Sequence, residues 1–531
     1  MMKRLFSILL LIPLAYSCSI AQNQSKYSSL ITEESSKNHL TVLTSREFAG
    51  RGTGQEGGLK TANYIAEQFK AYGLKPIVNG DSYFQQVQLV KTGFEVQDFS
   101  IGNQKYTYGK DFFVQGDNPL ETFDAKEIIF IGYGIQDEKY NELKGIDIKG
   151  KVVLVINEGE PTDVNGNSLI TGNTTKSTWS TNRFTRLQEL QKLGPKAILA
   201  TSSQVAEMLT KFKGRLTASR FTLDKGKTNT AKSNSAPIVN LTEDVANKLL
   251  ASVNTSLMTY KIKAAEKLQK PSQVLPLSFD ATMGVKTEKI EVPNVLGLLE
   301  GTDKKDEVVV VSGHYDHDGI LPDGTFFPGA DDNGSGTVAV IELARAFSQA
   351  KKEGKGPKRS ILFIGLAAEE KGLLGSDYYV EHPILPLANT VACINIDMIG
   401  RIDDKHLNGD HNYIHVIGAS KLSTDLKPIV ELANKDIQTT LDYDYDHPDE
   451  PMRLYYRSDH YNFAKKGIPS LFFFSGLHPH YHTPEDTVDK IDFPMMVKRE
   501  KLIFNTIWEL ANRPDKPKVD LSLEDAKGSG R

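Results

Sequence analysis

Short unbroken apolar runs alternate with polar turns through the second half of the chain, and this spacing predicts strands buried on both faces. Glu307-Val-Val-Val-Val-Ser312 has no helical periodicity, and its β-branched run from Val308 to Val311 favours a covered strand. Ser360-Ile-Leu-Phe-Ile-Gly365 and Val391-Ala-Cys-Ile-Asn-Ile396 repeat the pattern, and continuous runs of this kind fit parallel strands. Two stretches have helical spacing instead. From Gly57 to Tyr72, Ala62, Ile65, Ala66 and Phe69 fall on one face. Asn333-Gly-Ser-Gly336 opens a second helix, whose stripe Val338, Ile341, Ala344 and Phe347 predicts core packing. Strands alternating with helices predict an α/β fold with a mixed, largely parallel central sheet flanked by helices.

The first half differs. From about Val96 to Pro276 there are strand-like runs (Glu127-Ile-Ile-Phe-Ile-Gly132, Lys151-Val-Val-Leu-Val-Ile156, Ala197-Ile-Leu-Ala200) but no cluster of ligand-type residues, which marks a separate module. A chain of 531 residues is too long for one ordinary domain. The expected division is a signal peptide at 1–21, the first part of the main domain at 38–95, a β-rich insert at 96–284, the main domain at 285–513, and a charged tail at 514–531 expected to be disordered. The Gly-rich turn Phe48-Ala-Gly-Arg-Gly-Thr-Gly54 lacks a clear preceding strand and the Lys of a phosphate loop, so it is read as structural.

Composition removes several functions. A formal net charge of -4 provides no basic field for nucleic acid, so no nucleic-acid partner is expected. Met1-Met-Lys-Arg4 followed by the apolar stretch Leu5 to Ala15 forms a basic and then hydrophobic region too short to span a bilayer, which predicts export to the periplasm or the extracellular space. Two exits are open: cleavage after Ala21, or lipid attachment at Cys18, which would be the sole membrane attachment. Only Cys18 and Cys393 exist, so no internal disulfide is expected, and Cys393 inside an apolar run reads as a buried inert thiol.

The candidate chemistry sits where the apolar runs end. His314-x-Asp316 follows the first run, Glu369-Glu370 the second and Asp397 the third, with Asp331-Asp332 and His482 between and beyond. Each pair alone is an ordinary surface feature. Open α/β sheets, however, place ligands just beyond the carboxyl ends of their strands. Carboxylates and neutral imidazoles are the usual ligands of hydrolytic zinc, and two cysteines exclude a thiolate-rich site. A metal pair about 3.5–4 Å apart needs a bridging group, two terminal ligand sets and a nearby base, and the patches supply that number of groups.

His314-Tyr-Asp316, Pro328-Gly-Ala-Asp-Asp-Asn-Gly-Ser-Gly336, Ala368-Glu-Glu370, Asn395-Ile-Asp-Met398 and Tyr481-His-Thr-Pro-Glu-Asp486 together resemble the co-catalytic zinc aminopeptidase family, which includes glutamate carboxypeptidases. The motifs stand in the family's order over about Lys37 to Arg513. The resemblance implies a zinc exopeptidase fold, a peptide substrate and two Zn2+ per chain. It makes Asp331 the bridging ligand, His314 and Asp397 the further ligands of one zinc, Glu370 and His482 those of the other, and Glu369 the general base. Asp316 is expected to accept the His314 imidazole N–H and fix its tautomer. By the same resemblance Asp332 shares a cis peptide with Asp331. Within the insert, Gly150-Lys-Val-Val-Leu-Val and a helical stretch Arg183 to Leu193 ending at Gly194-Pro-Lys-Ala-Ile-Leu resemble the protease-associated domain, a β-rich module.

The leading expectation is an exported di-zinc aminopeptidase. A carboxypeptidase or dipeptidase on the same scaffold is the nearest alternative, with Arg457 and Arg453 as candidates to hold a substrate carboxylate. A glutaminyl cyclase works with one zinc, and a non-catalytic surface protein would have lost the ligands. Tyr455-Tyr-Arg-Ser-Asp-His460 and the loop Ser475-Gly-Leu-His-Pro-His480 are expected around the substrate, with His317, His478 and His480 outside the ligand set. The acidic stretch Leu441 to Glu450 is read as a solvated loop, with attraction of a peptide amino terminus as its functional alternative. The oligomeric state is left open.

Overall fold

The computed structural model describes residues 24–226, 235–266 and 273–523. The export signal, Cys18 and Ala21 lie outside these residues. Two compact units are present, one formed by the chain up to Leu89 and from Ile290 onward, the other by Val90–Lys289. The insert therefore begins and ends about five residues outside the expected 96–284.

The first unit is built on one sheet in the order Thr440–Asp442, Tyr413–Ile417, Ser470–Phe474, Thr390–Ile396, Lys304–His314, Arg359–Leu366, then the part of Phe279–Leu299 from Ile290 on and the part of Phe84–Ile101 up to Leu89. The three strands expected from apolar runs lie side by side and parallel, with Lys304–His314 in the middle. Successive side chains along a strand point to opposite faces, and both faces here are covered. Val308, Val310, Leu362 and Ile364 join one cluster with Tyr379 and Phe463, from the helices Leu374–Glu381 and His460–Lys465. Phe363 faces the other way, against Phe69 of Glu56–Tyr72 and Phe347 of Gly336–Lys352. Phe347 in turn stacks on Phe504 of Phe493–Asn512 at 4.3 Å between ring centroids. The predicted stripes Ala62/Ile65/Ala66/Phe69 and Val338/Ile341/Ala344/Phe347 are all buried. Cys393 is fully buried, and burial pushes its thiol far above the usual range, which fits an inert core residue.

Both ends of this unit differ from expectation. It starts before residue 38: Tyr27 stacks on Trp508, and Ser36 Oγ donates to Glu500 Oε2 at 2.9 Å. The tail is ordered as far as it is described, because Lys518 N–H donates to Asp425 and the Thr424 hydroxyl to Asp520. Local composition could not reveal either docking, since both partners are remote in sequence.

The second unit has a six-stranded sheet in the order Gln273–Leu275, Ile128–Phe130, Val152–Ile156, Ala197–Thr201, Ile238–Leu241, Phe112–Gln115. Its middle four strands are parallel, and the two outer ones run antiparallel to their neighbours. Parallel neighbours need crossovers. Helices Arg183–Lys192 and Val205–Thr217 flank the strand Ala197–Thr201 in sequence, so the strand-rich insert is itself an α/β layer.

Candidate metal centre

The sheet register brings the first ligands together. Ser312 is level with both Ile364 and Asn395 on the neighbouring strands, so His314 and Asp397, two residues further on, emerge at the same end. His314 Nε2 lies 3.3 Å from Asp397 Oδ1. A chain of hydrogen bonds fixes that carboxylate: the Ser458 hydroxyl donates to Asp397 Oδ2 (2.7 Å), Asn395 Nδ2 to Ser458 Oγ (2.8 Å), and Ser312 Oγ to Asn395 Oδ1 (2.9 Å). Ala368 and Met398, beside Glu369 and Asp397, have φ of 55° and 54°, and His482 has 53°. Left-handed backbone at non-glycine residues costs on the order of 1–3 kcal/mol each and persists where the surroundings enforce it, as they do at functional sites.

Asp332, not Asp331, stands at the centre. Its Oδ1 lies 3.6 Å from His314 Nε2, while its Oδ2 lies 3.1 Å from His482 Nε2, so one carboxylate faces two ligand sets. Glu370 Oε2 completes the second set at 3.2 Å from His482 Nε2. Among the described residues, His314, Asp332 and Asp397 form one group able to hold a cation, and Asp332 or Asp318 with Glu370 and a histidine form two more beside it. Asp331 belongs to none of these groups. Its Oδ1 accepts the Gly400 N–H at 2.6 Å and the Ser335 hydroxyl at 2.9 Å, and His478 Nε2 lies 3.4 Å from its Oδ2. The place facing both groups, expected of Asp331, is therefore held by Asp332, one residue along. The cis peptide also sits one residue later than expected, between Asp332 and Asn333.

The direction of these two side chains is set from a distance. Asp486 accepts the N–H groups of both Asp331 (3.0 Å) and Asp332 (3.1 Å). Asn333 clamps the turn to the strand end, donating to Ile396 O at 2.9 Å and accepting from Met398 N–H at 3.1 Å. Arg51, fully buried, donates to the carbonyls of Tyr315, Pro328 and Gly329 at 2.9, 2.7 and 2.6 Å. Thr53 Oγ1 donates to Asp316 Oδ2 at 2.7 Å. The Gly-rich turn is thus structural, as read, and its task is to hold the site; a Cβ on Gly50 would meet Phe327 O at 2.3 Å.

Other expectations change in detail. His314 Nδ1 is 3.1 Å from the backbone oxygen of Asp316 and 3.8 Å from its carboxylate, so the carbonyl fixes the tautomer. The Asp316 carboxylate accepts the Glu369 N–H at 3.0 Å and so positions Glu369. Asp318 does for His482 what was expected of Asp316, with Oδ2 3.1 Å from Nδ1. His317, placed outside the ligand set by sequence, has Nδ1 3.0 Å from Glu370 Oε1 and a buried Nε2 without a partner. Tyr455 and His460 are buried in packing, and His460 stacks on Phe472 rather than lining a pocket. Arg453 and Arg457 are exposed. The acidic stretch is partly structural: Asp446 accepts the N–H groups of Gly418 and Ser420, and Asp442 lies 3.3 Å from His415.

The donor set fits divalent cations. Ligands 2.0–2.1 Å from a tetrahedral zinc are roughly 3.3 Å apart, close to the 3.1–3.6 Å separations around Asp332. Asp332 Oδ2 is also buried, and although His482 Nε2 lies 3.1 Å away it accepts no well-aligned hydrogen bond. A second cluster, Asp403 with His406 and His415, has contacts of 2.6 and 2.8 Å, which are hydrogen-bond lengths, and reads as an ion-pair network.

Burial dominates the electrostatics. It lifts Glu370 to about 7 against the pull of His482, and raises Glu369 well above and Asp332 above the usual carboxylate range. Burial opposes a charged His482, yet Asp318 and Asp332 lift it to about 11. A carboxyl with a raised folded pKa stabilises the fold below its unfolded pKa and loses that contribution as pH rises through the folded value. Chelated protein is therefore expected to lose thermal stability between about pH 4.5 and 7, through Glu370. Zinc-loaded protein, with cations neutralising these carboxylates, is expected to melt higher and without that decline. Melting curves across this range with and without chelator provide the check; coincident curves would contradict it.

Residues 294–507 match the model of peptidase family M28. Aminopeptidase YwaD of Bacillus subtilis (strain 168) is 29% identical over 254 residues, 44% of this chain and 48% of the relative. A probable leucine aminopeptidase of Arthroderma otae is 32% identical over 237 residues, 43% of this chain and 61% of the relative. The chain thus spans about half to three-fifths of the curated relatives it matches. Among solved structures, the aminopeptidase from Aneurinibacillus sp. strain AM-1 aligns with 94% of this chain and 100% of its own, at a TM-score of 0.49 and 19% identity. Residues 294–507, the stretch that matches peptidase family M28, carry His314, Asp332, Glu369, Glu370, Asp397 and His482.

Proposed function

We propose that this chain is an exported di-zinc aminopeptidase that removes N-terminal residues from peptides. The observation that carries the reading is the Asp332 carboxylate, with one oxygen toward His314 and Asp397 and the other toward His482 and Glu370. Two zinc ions held there would acidify a shared water and polarise the scissile carbonyl. The chain's own residues do the rest. Glu369, 3.8 Å from His314 Nε2 and outside both ligand sets, takes the proton from water and delivers it to the leaving amine. Asp316 holds the backbone N–H of Glu369 so that its carboxylate faces the site, and Ser458 and Asp318 orient Asp397 and His482. A protease-associated role for residues 90–289 and a route out of the cell through residues 1–21 belong to this same reading.

Digestion of a peptide panel tests the end preference. Free, N-blocked and C-amidated forms of the same sequences should be cleaved, spared and cleaved, respectively. Cleavage of N-blocked peptides with sparing of C-amidated ones would instead identify a carboxypeptidase.

A further inference from the structure

The second unit contains a cavity of about 460 Å3 that the chemistry above does not use. It opens at the carboxyl ends of the parallel strands Val152–Ile156, Ala197–Thr201 and Ile238–Leu241, the edge where open α/β sheets take ligands. Side-chain alternation explains its floor. Val153, Val155, Ile198 and Ala200 share one face of this sheet, while Leu154, Ile156, Leu199, Val239 and Leu241 share the other. By the same alternation Asn157 and Asn240 fall on the Ala200 face, and Ala200 is paired with Asn240 in register. Two amide side chains thus stand where the pattern of the sheet calls for apolar ones, separated by the smallest side chain of the row.

Both are buried, with 8% and 7% of their surface exposed, and both line the cavity. Asn157 Oδ1 and Asn240 Nδ2 have no hydrogen-bond partner. A buried unpaired amide atom costs on the order of 1–3 kcal/mol, so two at the floor of one cavity are explained by a ligand that pairs them. The required chemistry is specific. An acceptor must meet Asn240 Nδ2 and a donor must meet Asn157 Oδ1. Among the described residues, Glu158 is the one ionisable side chain lining the cavity, and it is already paired with Lys261 at 2.7 Å, so the lining calls for an uncharged ligand. Phe113, Leu187 and Met208 supply an apolar wall.

We infer that this cavity binds an uncharged stretch of peptide backbone, with a C=O on Asn240 and an N–H on Asn157. Strand spacing puts the two Asn Cα atoms roughly 12 Å apart, two strands across and two residues along. One residue of extended chain, roughly 3.5 Å, with a hydrogen bond of about 2.9 Å at each end, spans most of that distance, and the amide side chains cover the remainder. The apolar wall then receives the intervening side chain. The inference stands independently of the metal centre.

N-acetyl-L-phenylalaninamide is the probe, because it carries both amides, an apolar side chain and no charge. Calorimetric titration of the full-length protein, with chelator present to silence the metal centre, should give saturable binding to one site per chain. Asn157→Leu and Asn240→Leu should each weaken that binding at least about tenfold, the loss of a hydrogen bond to a desolvated partner. Both should melt no lower than the parent, because each replaces an unpaired polar group by an apolar one of similar size. Should either Leu variant melt lower, Asn157→Ser and Asn240→Ser repeat the comparison with a smaller change. Glu369→Gln should bind the probe as the parent does. No saturable binding, equal affinity in both asparagine variants, or binding of methyl glucoside in place of the amide would overturn the inference.

Discussion

Replacing Glu369 by glutamine is expected to lower kcat by about 10²- to 10⁴-fold while the metal complement stays intact, the range that loss of a general base typically produces. Glu369 is suited to that task by position and by affinity for protons. Its side chain is only 11% exposed, its backbone N–H is fixed by Asp316, and burial raises its carboxyl well above the ordinary range. It belongs to none of the three-residue cation groups around Asp332. Glutamine keeps the shape and hydrogen-bonding reach and removes only the capacity to accept a proton. Steady-state kinetics on an unblocked peptide, with zinc measured in the same preparation, checks both halves. Full activity in Glu369→Gln would remove it from the base role, and a parallel loss of zinc would make it a ligand.

The second large effect is expected from Asp332→Asn. Each of its carboxylate oxygens faces a different ligand set, so one substitution weakens both cation sites and places a neutral amide between His314 and His482. Activity should fall by about 10⁴-fold or more, since both the cations and the several kcal/mol of charge stabilisation they supply are compromised. Asp331→Asn provides the contrast. That side chain accepts the Gly400 N–H and the Ser335 hydroxyl, so its loss should loosen the turn and lower the melting temperature with a smaller effect on turnover. Reversal of the two phenotypes would return the bridging role to Asp331.

The neighbouring pair shows where a sequence is informative and where it is silent. The strands that end at His314 and just before Glu369 and Asp397 were legible because continuous β-branched and apolar runs fit a buried parallel strand. The helix stripes were legible for the same reason, a period that matches one buried face. Asp331 and Asp332 could not be told apart locally, because neither strand nor helix periodicity governs a turn. Their orientation depends on Asp486 and Arg51, more than 150 and 270 residues away in the chain. Asp318 and His317 were missed because their roles come from proximity to Glu370 and His482 alone. The same holds for Ser458, expected at the substrate and found supporting Asp397.

Two cations sharing Asp332 are the core of the proposed function. Metal analysis by inductively coupled plasma mass spectrometry, on full-length protein saturated with zinc and then dialysed, tests it most directly. Close to two zinc ions per chain are expected, as a carboxylate shared between two candidate ligand groups requires. One zinc ion or none per chain would contradict it.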